Sequence, residues 1–586
     1  MALLDYYTKL YTELNPTSPQ AISVTIRQCV SYFHCSDRNT KLIIRRLHEE
    51  GYISWEAGRG RGNTSKITFL KPLDKVIKDE VMHDIREGKL DKALRFLNEH
   101  ALPETILHEC HGLLQSHFGF QVENQKEKSI DILRIPMRRH FATLDPAFAA
   151  ITSEAHISHQ IFDCLINYNV VTNQFEEHLA HSWTTNVPKT EWTFYLRKGI
   201  LFHHGKECTS QDVKFTFQRI RDQLKQIPCR WYLDDLDEFK TINDYAFTLI
   251  FRKPKGFLLH LLSSINCAIL ASDVGYDHEH NIGTGPFRIL KYDKKGLLLH
   301  RFENYFKERA LLDRIELLFA PHLVNKMKRY DVPSLSSKEK GYHAKVHQEN
   351  GCSFLLFNFR VNGIQEDKNV RCAIRALINQ RELISKLKGN RFAPASRFIP
   401  SHSKLHPRAQ ETFDDAKRYL VNSSYNGETL HVYYFDHKET LNDAVWLKDK
   451  AEKIGLNLSL HAFPLENFYE HEVEEKADIL FCGEVLEENM ELGLANLFKN
   501  STSLLRRFLN DEQRKTLDHL MQFFIEELDS EKRMQKIEEI ERSLTEDINI
   551  IYLYHNLREM TFHAALAGIT LNAFGWADFS KLWIKP

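Results

Sequence analysis

Hydrophobic periodicity changes character once along this chain, and that change limits the folds open to it. Before about residue 129, apolar side chains recur mostly at helical spacing: Leu3–Leu14, Val24–Phe33, Asn39–Glu50, Leu73–Arg86 and Leu90–Glu99. Further on, the alternating runs TLHVYYFD, LNLSLHAF and ADILFCG accompany a helical stretch, Leu441–Ile454. That alternation is a βαβ signature. A chain of 586 residues with two such patterns should form several domains. The polar run VENQKEKS, residues 122–129, marks the expected boundary. It gives a first domain over 1–71, a helical linker region over 72–128 and a long domain over 129–586.

A net charge of -1 excludes a generally polybasic surface, so any nucleic-acid contact must be local. The charge is concentrated in one place. From Ser36 to Lys66, seven Lys/Arg stand against four Asp/Glu, an excess of +3. Ser36 and Asp37 are suited to cap a helix that ends at Gly51, and this helix leaves Arg38, Asn39, Lys41 and Arg45 to solvent. YISWEAG and SKITFL then read as two short strands around GRGRGN, which puts Arg59 and Arg61 at the tip. This order resembles a winged helix-turn-helix domain. The resemblance implies double-stranded DNA as partner, with the last helix in the major groove and the wing on the backbone or minor groove.

Other readings of composition are mostly exclusions. The ten cysteines are scattered, without a CxxC pair, and read as reduced thiols. HECHG, His108–Gly112, has no partner motif at zinc spacing, so no metal is expected. No export signal opens the chain, and GFLLHLLSSINCAIL (256–270) is too short and too interrupted to span a bilayer. A cytoplasmic protein without membrane insertion is the expectation. No HExxH or Ser/His/Asp order places the 30 histidines in a catalytic site, so neither catalytic residues nor a cofactor are expected.

Beyond residue 129 a series of passages carries a second resemblance. Leu144–Pro146, Leu196–Gly205, Asp212 with Val213, Gly283–Phe287 and Asp367–Ala373 match, in order, L-D-P, L-R-x-G-x-x-F-H-x-G, D-V, G-T-G-P-[FY] and D-x-x-V-R-x-A. They resemble the family 5 solute-binding proteins of peptide and nickel ABC transporters. The implied fold is an α/β two-lobed, periplasmic-binding-protein-like (type II) domain with a ligand cleft between lobes. His204 departs from the pattern, standing where an aspartate is common. Strand ends in such α/β folds point to Phe435, Asp436, Cys482 and Glu484 as ligand contacts. The resemblance adds Thr152, Ser153 and Glu154 after L-D-P. Peptide-binding members often carry G-W-x-x-D-Y after the strand equivalent to ADILF. Here CGEVLEENM lacks that aspartate and offers Glu484 or Glu487 instead.

The terminal GITLNAFGWADFSKLW, with the amino-terminal winged helix, is similar to the SgrR-type transcription regulators. That resemblance implies a multidomain chain, all-α/winged-helix first and solute-binding second, which regulates transcription in response to a small metabolite: a sugar phosphate, a sugar or a peptide-like molecule. A homodimer on paired half-sites is a further expectation. The competing reading is the solute- or oligopeptide-binding component of an ABC transporter with an amino-terminal docking module.

Overall fold

The computed structural model describes residues 3–16, 20–58, 64–87, 89, 92–93, 96–97, 102–125, 128–137, 139–223, 227–275, 281–319, 342–403, 411–563 and 566–585. The chain separates into two compact units. One holds Met1–His140 with Asp293–Leu297 and Glu316–Pro333; the other holds Phe141–Tyr292, Leu298–Ile315 and Ser334–Pro586.

The first unit opens with helix α1 (Leu3–Leu14), strand β1 (Ile22–Val24), helices α2 (Ile26–Phe33) and α3 (Asp37–Glu49), then strands β2 (Ile53–Glu56) and β3 (Ser65–Phe69). The helical reading of Val24–Phe33 therefore begins too early. Val24 belongs to β1, which pairs antiparallel with β3, and Thr25 caps α2 through a reciprocal pair of bonds with Gln28. The strands lie in the order β1-β3-β2, with Trp55 opposite Ile67. His34 takes a left-handed conformation (φ 51°) between α2 and α3. The next helix α4 (Leu73–Arg86) packs on these elements: its Leu73, Val76, Ile77, Val81 and Ile85 share one core with Tyr7, Leu10, Cys29, Phe33, Ile44 and Leu47. Of the polar run 122–129, residues 126–127 lie outside the described residues. Residues 122–125 lie in the strand Gly119–Gln125, which pairs antiparallel with Lys128–Met137, where Ile132, Leu133, Ile135 and Met137 are buried.

In the second unit, a four-stranded antiparallel sheet runs in the order Leu236–Asn243, Ala246–Phe251, Glu191–Leu196, Ala180–Thr185. A larger mixed sheet is ordered Tyr342–Gln348, Ile550–His563, Gly351–Phe357, Ile479–Val485, Thr429–Phe435, Asn457–Phe463. Thr429–Phe435 is parallel to both of its neighbours, and helix Lys438–Glu452 comes after it as a βαβ crossover. The rest of this sheet is antiparallel, a mixture the sequence pattern does not disclose. Residues 256–270 are buried as a short helix, Leu258–Leu262, and a 3-10 turn, Ile265–Cys267. Among the described residues, no helix is long and apolar enough to cross a membrane.

The recurring motifs turn out to be joints. Asp145 caps the 3-10 turn Pro146–Phe148 and accepts a two-pronged pair from the buried Arg219. Asp212 completes a capping box with Thr209 and also receives Ser272 N at 2.8 Å. Arg371 donates to the carbonyls of Gln365 (2.9 Å) and Glu366 (2.6 Å). Gly283 and Gly285 are needed less for a bend than for close approach: a Cβ on Gly283 would lie 2.0 Å from the Ile161 carbonyl oxygen. Gly283→Ala should therefore overpack this joint and lower unfolding stability by about 1–3 kcal/mol, read as a lower urea midpoint at unchanged slope.

Candidate functional sites

On the first unit, α3 is capped by Ser36, whose hydroxyl accepts from Asn39 N at 3.4 Å. Thr40, Ile43, Ile44 and Leu47 bury one face, which commits the opposite face to solvent. Arg38, Asn39, Lys41 and Arg45 are all exposed, as the sequence predicts from the apolar spacing. Arg45 pairs with Glu49 at 2.7 Å and Arg46 with Glu50 at 3.7 Å, so Arg38 and Lys41 carry the charge of the helix's first turns. Leu42, 52% exposed, adds an apolar side chain to the same surface. Arg59 and Arg61 lie outside the described residues.

The second unit holds a cavity of about 1070 Å³. Its walls come from distant parts of the chain: helix Thr152–Ile161 and the turn after it, His178, loop Tyr305–Leu311, loop Glu487–Asn489, and the terminal stretch Thr570–Lys581. Asp163 anchors one wall. It accepts from His178 Nε2 (2.7 Å), Thr284 Oγ1 (2.8 Å) and Tyr305 OH (3.2 Å). Burial pushes its pKa up, but His178 and these hydrogen bonds outweigh that, and the carboxyl stays below its ordinary value.

A second wall is held by His156, stacked on Trp576 with ring centroids 4.9 Å apart and met edge-on by Phe579 at 4.7 Å. Asn572 Oδ1 accepts from Phe574 N and Trp576 N, which fixes its amide; its Nδ2 then donates to His156 Nδ1 at 3.2 Å. Burial holds His156 at about 3 and His159 at about 4, so both imidazoles are neutral at physiological pH. On the third wall Glu487 Oε1 accepts from Asn496 Nδ2 at 2.9 Å, and Asn496 Oδ1 accepts from Tyr232 OH at 2.6 Å. Burial pushes Glu487 up to about 8 and, on the strand leading to it, Glu484 up to about 7. This array of neutral imidazoles, a fixed Asp163 carboxylate and the raised Glu487 carboxyl can capture a small polar molecule by hydrogen bonds. Among the described residues, no group of three or more His, Cys, Asp or Glu side chains is arranged to hold a metal ion.

None of the ligand contacts expected from strand ends or from the L-D-P segment lines this cavity. Thr152 and Ser153 form the first turn of their helix, and Glu154 is fully buried, accepting from Ala142 N (2.8 Å) and Tyr469 OH (2.9 Å). Phe435 packs on Phe463 at 5.5 Å, and Asp436 is exposed just beyond that strand. Cys482 is 3% exposed and opposite Phe354, while Glu484 is opposite Cys352. Glu487 does line the cavity. Sequence reasoning missed His156, Asp163, His178 and Tyr305; the GWADF stretch stands out in the sequence, but nothing there links it to these residues.

The model for bacterial extracellular solute-binding proteins, family 5, matches residues 174–485, just over half of the chain. The chain belongs to this family. A second model, sugar transport-related sRNA regulator N-term, matches residues 2–119, taking in α4 and the helix Glu104–Ser116 beyond the winged helix. Together they give the arrangement of SgrR-type regulators, with a family 5 domain placed after an SgrR amino-terminal domain. Among curated relatives, an uncharacterized protein YhjP of Bacillus subtilis is 29% identical over 100% of both chains. The HTH-type transcriptional regulator SgrR of Photorhabdus laumondii is 24% identical, covering 96% of this chain and 95% of its own. Among solved structures, a dipeptide-binding protein from a Pseudoalteromonas species, in complex with Met-Leu, superposes with a TM-score of 0.66 at 18% identity. That superposition covers 78% of this chain and 100% of the other, and it shows the family 5 fold.

The raised carboxyls of this family 5 domain set a pH dependence. A carboxyl lifted by burial makes the folded state bind more protons than the unfolded state between the ordinary glutamate range and its folded pKa, so stability falls as pH rises through that window. For Glu487 the window runs from the ordinary 4.5 to about 8. Glu487→Gln should flatten the decline in melting temperature between pH 5 and 8, measured by thermal denaturation in matched buffers.

Proposed function

We infer that this chain is a ligand-responsive transcription regulator. The observation that carries the reading is one chain bearing both a winged-helix unit with a basic, solvent-facing α3 and a family 5 domain with a polar cavity. Arg38, Asn39, Lys41 and Arg45 on α3 are proposed to meet the major groove, with Arg59 and Arg61 on the wing contacting phosphate or minor groove. A DNA-binding unit acts only where DNA is, so the proposed location is the cytoplasm. The role is binding rather than catalysis, and no cofactor enters it.

The ligand is proposed to be a small metabolite of the sugar phosphate, sugar or peptide-like classes, held by the cavity. Glu487, in preference to Glu484, stands in for the aspartate of peptide-binding relatives. One winged helix makes few phosphate contacts, which favours a homodimer on paired half-sites. Relatives named as SgrR regulators match along almost the whole chain, which supports this reading over a transporter component.

Fluorescence anisotropy on labelled DNA from upstream of the protein's own gene tests it. Wild type should bind, and binding should weaken steeply between about 50 and 200 mM salt, as phosphate contacts require. Arg38→Ala/Lys41→Ala should weaken it by about tenfold or more, since each lost contact removes on the order of 1 kcal/mol. Salt-insensitive binding, or none on any upstream DNA, would overturn the reading.

A further inference from the structure

The larger sheet carries a side-chain cluster that neither the cavity nor the DNA-binding surface uses. His431 lies on strand Thr429–Phe435 and His461 on the parallel strand Asn457–Phe463, where the register sets Ser459 beside His431 and His461 beside Tyr433. His431 is exposed, and Ser459 and His461 are half-buried at this edge of the sheet. His431 Nδ1 and His461 Nε2 are 3.1 Å apart, and Ser459 Oγ is 3.0 Å from the same His461 Nε2. Tyr433 stacks on the His461 ring, centroids 4.9 Å apart and planes at 24°, which fixes its orientation.

Either imidazole can carry the proton of the nitrogen–nitrogen contact. One nitrogen faces both a hydroxyl and a second imidazole, and both contacts are satisfied when His461 Nε2 offers its lone pair to the Ser459 hydroxyl and to His431 Nδ1–H. A lone pair of one imidazole thus points at the space where two other polar groups converge. Shifting the His431 proton from Nδ1 to the exposed Nε2 turns a second lone pair toward the same space, with no change in charge. Two metal–imidazole bonds of about 2.0–2.1 Å, meeting at about 90–109°, separate their nitrogens by about 2.9–3.4 Å. The observed separation of 3.1 Å falls inside that range.

We propose that His431 and His461 form a surface site for a divalent late transition-metal ion, with imidazole nitrogens as its two protein ligands and Ser459 and water completing the shell. Imidazole ligands suit nickel, copper and zinc over magnesium or calcium, which take oxygen. The site is separate from the cavity, none of whose lining residues it shares. An ion here would cross-link two parallel strands at the sheet's edge.

The test is isothermal titration of the untagged full-length chain with nickel chloride, beside His431→Ala, His461→Ala and the double variant. Nickel should bind one equivalent that each single substitution weakens by about tenfold or more, with magnesium producing no such heat. His431 is exposed, so its variant leaves the fold least at stake; an unchanged circular-dichroism melt without metal confirms that for each protein. If nickel gives no heat beyond dilution, the pair is an ordinary hydrogen bond and the proposal is wrong. If the double variant titrates like wild type, others among the 30 histidines bind the ion, and the proposal is equally overturned.

Discussion

The turn Gly283–Pro286 is gripped from two sides, and the cavity rests on that grip. From one side Gly285 N donates to the Ile161 carbonyl at 2.9 Å, at a separation that leaves no room for a Cβ on either glycine. From the other side His203 N donates to Gly283 O at 2.9 Å, Gly283 N donates to His203 Nδ1 at 3.2 Å, and His203 Nε2 returns a proton to Gly285 O at 3.0 Å. Burial holds His203 at about 4, which keeps the ring neutral and lets one nitrogen accept while the other donates. Thr284, inside this clasp, reaches Asp163, and Asp163 in turn orients His178 and Tyr305 on the cavity wall. A backbone contact too tight for any other residue type thereby fixes the polar groups that a ligand would meet.

In the first unit the same economy of space couples the winged helix to α4. Tyr7 of α1 is fully buried, donates to the Lys71 carbonyl, and has Tyr52 and Phe69 within aromatic contact. Lys71 lies over the Tyr52 ring at 4.2 Å, and α4 begins two residues later. Removing α4 would uncover Leu47 and its neighbours in this cluster. The amino-terminal match extending to residue 119 takes in the buried residues of this shared core.

Much of this was legible because local chemistry and final structure agree. The cap at Ser36, the exposed face of α3, the strands from Thr429 and Asn457 and the crossover between them arise from spacing alone, since burial of one face decides each of them. The order of the family motifs likewise announced the fold. β1 escaped because three residues give no period, and the pairing of Gly119–Gln125 with Lys128–Met137 because the polar run 122–129 resembles a connector. The cavity escaped for a different reason. The strand-end rule presumes a parallel sheet, but antiparallel pairing of Ile479–Val485 with Gly351–Phe357 puts Cys482 opposite Phe354 inside the sheet. Wall residues such as His156, Tyr305 and Asn572 are neighbours only after folding, so no local pattern marks them.

The electrostatics of the cavity constrain how a ligand could be sensed. Glu487 accepts from the neutral Asn496 amide, and the carboxyls of Glu488 and Glu484 raise its proton affinity further, after burial. It is therefore mostly protonated at neutral pH and acts as a donor, whereas Asp163, with three donors around it, remains a charged acceptor. A ligand bringing a cation to Glu487 must release its proton, and one bringing an acceptor must not. Affinity for the two kinds of ligand then varies oppositely with pH, because each draws on a different protonation state of the same side chain. The ligand also meets segments as far apart in sequence as 156–178 and 570–581, so its contacts are free to favour one arrangement of them over another. Only such a difference in free energy between arrangements allows binding to change regulation.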